Sequence, residues 1–295
     1  SLTFWHCVKL NFGSKKVNWT ISQGLFIFTI QFLTPDEFFI EVKCQKYSHF
    51  PQSQSLPHYT KKGLSPMPIK TVVFDAYGTL FDVAAAARTA AYEANRSKLS
   101  ACWQKLANDW RLKQLQYTWL RAITDAHDDF WNVTQDGLDW ALENNGLNED
   151  TALRARLLQL YWELAAYPEV PQMLKTLKKA KLNTAILSNG SPKMLVGAIQ
   201  SAGLSNLLDD VLSVEELQVF KPHKTVYNLV IKRFKCEPSE VLFVSSNGWD
   251  AAAAAGFGVY TTWVNRTSEP MDRLPWKPHQ VLSNLIIIGY KYRNK

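Results

Sequence analysis

The chain has 295 residues, 46% of them hydrophobic, with 33 Lys and Arg against 26 Asp and Glu and a formal net charge of +7. That composition supports a substantial core in one large domain or two modest ones and excludes a disordered or fibrous chain. The positive charge sits in the flanks: residues 1–66 hold seven lysines and three acids, residues 286–295 add Lys291, Arg293 and Lys295, and residues 67–285 balance 23 basic against 23 acidic side chains, which argues against a nucleic-acid footprint on the folded part.

Residues 1–66 show no clear helix or strand period and are rich in Phe, Ser, Gln and Lys. The apolar run Ile21–Leu33, "ISQGLFIFTIQFL", is too short and too interrupted to span a bilayer. Lys9, Lys15 and Lys16 before it would suit a targeting segment, but no small-residue cleavage site follows. The expectation is an N-terminal extension over 1–66 that is not part of the fold, with a natural start at Met67. The four cysteines, Cys7, Cys44, Cys102 and Cys236, are scattered. They have no CxxC and no Cys/His ligand spacing, so neither a disulfide framework nor a zinc site is expected, and a cytoplasmic location is the simplest fit.

From Met67 the chain alternates short apolar runs with amphipathic stretches, the pattern of a parallel α/β sheet with helices on both faces. Strands are predicted at Thr71–Phe74, Thr184–Leu187, Val211–Val214, Val241–Val244 and Val259–Val264. Asp82 reads as a helix N-cap. The interval from the first strand to the second is far too long for one crossover. Its helical, Trp-rich pattern predicts an inserted helical subdomain over 84–165, with the core formed by 67–83 and 166–285. Ser191 caps a helix opening at Pro192 and stopping at Gly203, Pro222 opens another, and Gly256 closes the one after Asp250. "IIIGYKYRNK", 286–295, is set apart as a tail.

Ligands in open α/β sheets sit beyond the carboxyl ends of the strands, and polar clusters fall there in chain order. Asp75-Ala-Tyr77-Gly-Thr79 ends the first strand and Ser188-Asn189-Gly190 the second. Lys221 in "VFKPH" follows the third, and Ser245-Ser246-Asn247-Gly-Trp249-Asp250 ends the fourth. The six histidines form no cluster, and His223 reads as a surface helix residue.

This order of strand-Asp, Ser, Lys and terminal acid resembles the haloacid dehalogenase superfamily. The wording "FDAYGTLFDV", "WRLKQLQYTWLR", "ILSNG", "VFKPH" and "LFVSSNGWD" is similar to its L-2-haloacid dehalogenase branch over residues 67–285. The resemblance implies a Rossmann-like core, a helical cap and a homodimer formed through that cap. Phosphatases of the superfamily usually carry a second Asp two positions after the nucleophile and Gly-Asp at the end of strand four. Here those positions are Tyr77 and Ser245-Ser246, so two carboxylates expected of a Mg²⁺ site are missing and no metal or other cofactor is expected.

The implied reaction takes a small 2-haloacid and water. Asp75 attacks C2 of an L-2-haloacid, giving an aspartyl ester that water hydrolyses to a D-2-hydroxy acid. Lys221 would hold Asp75 ionised, and Asp250 with Asn247 and Ser245 would position Lys221 and the hydrolytic water. Thr79 and Ser188 would donate to Asp75 or to the substrate carboxylate. By resemblance, Arg111, Asn189 and Trp249 would cradle the halide, Tyr77 would line the substrate site, and Tyr227 would support the polar network. Two alternatives stand beside this reading: a Mg²⁺-dependent phosphatase of the same superfamily, and an inactive binding homologue. Neither a nucleic acid nor a membrane is expected as a partner.

Overall fold

The computed structural model describes residues 19–23, 26–32, 40–46 and 69–291. The chain divides into two compact units, 1–63 and 64–295. In the first, β1 (Trp19–Gln23), β2 (Phe26–Phe32) and β3 (Ile40–Lys46) form an antiparallel three-stranded sheet in chain order, where the sequence shows no strand period. The expected start at Met67 lies outside the described residues.

The second unit is built on β4 (Thr71–Phe74), β5 (Asn183–Ser188), β6 (Asp210–Ser213), β7 (Val241–Ser245), β8 (Tyr260–Val264) and β9 (Gln280–Leu282). They form one sheet in the order β6-β5-β4-β7-β8-β9, every pair parallel. The five predicted strands appear to within one residue. β9 was not predicted: it is three residues long, and His279 holds it beside β8 by accepting from the Thr261 N–H at 3.1 Å. In β4, Val72, Val73 and Phe74 are fully buried, because a central parallel strand has both faces covered and needs a continuous apolar run.

Four helices lie between β4 and β5: α1 (Ala85–Ala91), α2 (Ser97–Ile123), α3 (Phe130–Asn144) and α4 (Thr151–Trp162). Asp129 and Asp150 start α3 and α4 by accepting backbone N–H bonds from Trp131 and Leu153, both at 2.7 Å, which satisfies donors that a helix start leaves open. The insert leaves and rejoins the core at one place. Phe81 and Ala166 form a β-bridge, the Asp82 N–H donates to Ala165 O at 3.0 Å and the Tyr167 N–H to Leu80 O at 2.9 Å.

The remaining helices are α5 (Val170–Lys179), α6 (Pro192–Ser201), α7 (Lys224–Phe234), α8 (Gly248–Phe257) and α9 (Ile286–Lys291). α5 buries Val170, Met173, Leu174 and Leu177, the spacing of an apolar stripe facing a sheet. Several predicted helix ends shift. Asp82 precedes α1 by three residues; it accepts from the Ala84 N–H at 3.1 Å and pairs with Arg88 at 2.6 Å, closing a turn instead of capping the helix. Ser191 stands at the N-cap of α6 without a side-chain cap bond. α7 begins at Lys224 with His223 as its N-cap, its ring accepting from the Thr225 N–H, and Pro222 sits in the preceding turn. α8 runs through Gly256 to Phe257. The supposed tail supplies α9, which packs on α5 with Ile288 buried and Gly289 against Met173. Among the described residues no helix is long and apolar enough to cross a membrane, and Cys102 and Cys236 are free thiols.

Candidate active site

β4 is central in its sheet, so Asp75 at its carboxyl end has neighbours arriving from both sides. The Asp75 N–H continues the ladder to Val244 O at 2.9 Å, which fixes the side chain over the end of the sheet. Its two carboxylate oxygens are shared out. Oδ1 accepts from Lys221 Nζ at 3.1 Å; Oδ2 accepts from Thr79 Oγ1 at 2.9 Å and Asn247 Nδ2 at 3.1 Å. Thr79 Oγ1 itself accepts from the Ser246 N–H at 2.7 Å; its own proton is then free to point at the carboxylate.

The turn that carries Thr79 depends on Gly78, whose φ of +87° suits a residue without a Cβ. A Cβ there would stand 3.1 Å from Ser246 Oγ and 3.9 Å from Arg111 Nη2. The backbone therefore passes close beneath groups from the loop after β7 and from α2. Arg266 ties down the same turn: Nη2 donates to Thr79 O at 3.0 Å, Nη1 pairs with Glu169 at 2.8 Å, and the guanidinium lies 3.7 Å from the Tyr167 ring centroid.

Lys221 is 1% exposed, reaches Asp250 Oδ2 at 2.9 Å and lies 4.9 Å from the centroid of the Phe243 ring. Burial works against its ammonium, but the carboxylates of Asp250 and Asp75 outweigh that cost and raise its pKa above the ordinary lysine value. Asp250 is fully buried, and its Oδ1 accepts from the Tyr227 hydroxyl at 2.7 Å. Burial first, then Asp250, pushes the Tyr227 hydroxyl well above its usual range, so it stays a donor. The result is a dry chain from Tyr227 through Asp250 and Lys221 to Asp75.

The predicted residues thus separate into groups. Asp75, Thr79, Lys221, Asp250, Asn247 and Tyr227 join in one hydrogen-bonded network. Asn247 was expected to position Lys221, yet its side chain bonds Asp75 and accepts from Arg111 Nη2 at 3.3 Å. Ser245 Oγ accepts from the Asn247 N–H at 3.1 Å and so orients that loop without touching Lys221. Ser188 Oγ accepts from the Gly190 N–H at 3.0 Å, not bonding Asp75, and Asn189 Oδ1 accepts from the Lys221 N–H at 2.9 Å. Arg111 comes from α2; its Nη2 donates to Tyr77 O at 3.0 Å. Tyr77 is buried, its ring stacked on Tyr161 with centroids 5.7 Å apart. Trp249 meets Trp119 edge-to-face at 5.3 Å, and its indole N–H is buried without a partner.

Several site residues were not singled out in the sequence. Gln114 is fully buried beside Arg111. α2 buries Leu99, Leu106, Trp110, Gln114 and Thr118, a stripe spaced by seven and then by fours; a glutamine on that stripe was the available signal. His127 was also missed. Its Nε2 lies 3.2 Å from Glu215 Oε2, its ring 4.6 Å from that of Phe220, and Glu215 Oε1 accepts from the Phe130 N–H at 3.3 Å. Among the described residues no group of three or more His, Cys, Asp or Glu is placed to hold a metal ion.

A family model for haloacid dehalogenase-like hydrolases matches residues 69–258. (S)-2-haloacid dehalogenase 1 of Pseudomonas sp. (strain CBS-3) is 44% identical over 205 residues, covering 70% of this chain and 88% of that protein. The (S)-2-haloacid dehalogenase of Xanthobacter autotrophicus is 44% identical over 201 residues, covering 68% and 77%. The solved structure of the L-2-haloacid dehalogenase from Xanthobacter autotrophicus with chloropropionic acid covalently bound superposes with a TM-score of 0.68 at 37% identity, covering 76% of this chain and 98% of that one.

Proposed function

This chain belongs to the haloacid dehalogenase-like hydrolase family, and from that premise we propose that it hydrolyses short L-2-haloalkanoic acids to D-2-hydroxy acids. The single observation that carries the proposal is the setting of Asp75: donors on both oxygens, a buried ammonium behind it, and Asn247 linking it to the Arg111 guanidinium. An Asp75 oxygen attacks C2 from the side opposite the halogen. The C–O bond forms as the C–X bond breaks, the bonding pair leaves with the halide, and C2 inverts. Water then adds to the carbonyl carbon of the Asp75 ester. The C2–O bond stays with the product, and the carboxylate is restored with one oxygen from water and release of a proton.

In this scheme Lys221 holds Asp75 ionised, and Asp250, fixed by Tyr227, holds Lys221. Thr79 and Asn247 orient the nucleophile while Ser245 shapes the Asn247 loop. Ser188 keeps its own hydroxyl proton to donate to the substrate carboxylate, and Tyr77 lines the pocket. Arg111, Asn189 and Trp249 form the halide cradle, the buried indole N–H of Trp249 being a donor with no protein acceptor. A halide leaves without protonation, so no general acid is needed. No step is routed through a metal: the Lys221 ammonium stands between the two carboxylates, and Tyr77 and Ser246 supply no further ones. We read the four helices α1–α4 over 84–165 as the cap, and exposed Leu112, Leu120 and Ile123 on α2 as the homodimer face.

The deciding experiment is halide release from L- and D-2-chloropropionate in EDTA, with wild type beside Asp75→Asn. Release from the L-enantiomer alone, insensitive to chelator and lost in Asp75→Asn, is the expected result. Mg²⁺-dependent hydrolysis of a phosphate ester without halide release would replace this function with a phosphatase.

A further inference from the structure

Arg111 is a long side chain entering from α2, and a halide leaving Asp75's target carbon gains from it only if the guanidinium is already in place. One edge is held by Tyr77 O. The other is held by Gln114, one turn along the same helix, whose Oε1 accepts from Arg111 Nη1 at 2.8 Å. Gln114 is fully buried on a stripe shared with Leu99, Leu106, Trp110 and Thr118, and its amide is engaged at both ends: Nε2 donates to Thr134 Oγ1 at 2.8 Å and to Tyr161 Oη at 3.0 Å.

The direction of this chain is forced. A guanidinium has no acceptor, so only the amide oxygen can face Arg111. At the far end, Thr134 Oγ1 donates to Phe130 O at 2.7 Å and therefore presents a lone pair to the amide nitrogen. The Tyr161 hydroxyl lies 3.2 Å from Gln114 Oε1 and its ring stacks on Tyr77, which links the amide to the wall of the substrate site. Val83, Ala107, Trp110, Arg111, Gln114 and Tyr161 line a small cleft at this place. A buried amide is a costly filler for a helix stripe, since every polar atom must be satisfied. Here each bond fixes the orientation of the next group, ending at Arg111.

We propose that Gln114, oriented by Thr134 and Tyr161, is a positioning residue that sets the Arg111 guanidinium against the departing halide. The inference rests on the dehalogenase function proposed above. It carries a signature that a merely structural role lacks: loosening the halide contact penalises chloride, the poorer leaving group, more than bromide.

The test compares single-turnover halide release from L-2-chloro- and L-2-bromopropionate. Gln114→Met keeps the volume but removes the acceptor, and should slow chloride release about 10- to 100-fold while slowing bromide release less, widening the bromide-to-chloride ratio. Gln114→Glu keeps the acceptor for Arg111 but sets an oxygen against Thr134, so it should lose stability yet keep the wild-type ratio. In an Arg111→Lys background Gln114→Met should add no further change in the ratio, because the group it acts through has lost its fork. A folded Gln114→Met with the wild-type ratio overturns the inference. If that variant does not fold, the ratio is read in Gln114→Asn, which withdraws the amide from Arg111 by one methylene, and an unchanged ratio there has the same force. Absence of halide release from either substrate by the wild type removes the dehalogenase function itself, and the inference with it.

Discussion

Replacing Lys221 by Met tests the buried charge chain most directly. Nζ stands 3.1 Å from Asp75 and 2.9 Å from Asp250, so removing it leaves two carboxylates no more than about 6 Å apart with almost no water between them. At an effective dielectric of about 20, their repulsion is about 3 kcal/mol. That repulsion and burial favour a shared proton on the pair in the folded variant, which the unfolded chain gives up more readily. The folded state therefore holds a proton that the unfolded chain has lost, so stability falls as pH rises through the carboxylate range. Relative to wild type, Lys221→Met should lose about 3–5 kcal/mol at pH ~8, and this deficit should shrink by about 2 kcal/mol at pH ~4. Urea unfolding followed by tryptophan fluorescence at several pH values measures both quantities. A deficit under about 1 kcal/mol at alkaline pH, or one independent of pH, would refute the claim that Lys221 neutralises a dry carboxylate pair.

Other changes probe the neighbours. Tyr227→Phe removes the donor to buried Asp250 Oδ1 and should cost about 1.5–3 kcal/mol by denaturant unfolding, with a fall in turnover and no change in enantiomer preference. Because Asp250 and Asp75 raise the Lys221 pKa over the opposing effect of burial, the Lys221 contribution to stability is intact below the ordinary value of 10.5 and is lost as pH rises beyond it; a pH–rate profile should show no lysine-dependent loss up to that value. In Gly190→Ala the new Cβ would stand 2.7 Å from the Tyr77 ring, so about 1–3 kcal/mol of overpacking should come with weaker substrate binding. Arg266→Met leaves Glu169 and Thr79 O without their cation and should lower stability by about 2–3 kcal/mol, read from the urea midpoint, along with halide release.

Much of the core was legible because its signals are local. A parallel strand must be continuously apolar and must end where its polar neighbours can meet a ligand, so Asp75, Lys221 and Asp250 stood out from their places at the strand ends and from the resemblance those places carry. The finer bonding was not. Ser188 and Ser245 accept from the Gly190 and Asn247 backbone N–H groups, loop bonds that composition does not reveal and that stand beside the donor role proposed for Ser188. Gln114 was passed over for the opposite reason, although the stripe it stands on was a signal. On a helix a polar residue usually means solvent, and only tertiary contact with Thr134 and Tyr161, 20 and 47 residues away, makes it interior. β9 is too short to show a period, and Pro222 misplaced the start of α7 because proline opens turns as readily as helices.

The doorway at Phe81 and Ala166 has a consequence for anyone wishing to redesign this protein. Both strands of the insert pass through one narrow stem, closed by the Asp82–Ala165 and Tyr167–Leu80 backbone bonds. Residues 83–165 therefore join the rest of the unit at one socket, and any replacement for them has to cover the apolar surface they bury there, where Tyr161 stacks on Tyr77 and Phe130 meets Phe220. The socket keeps Asp75, Lys221 and Asp250. It does not keep Arg111, so a transplanted cassette has to bring its own arginine, and with it something to hold that arginine still.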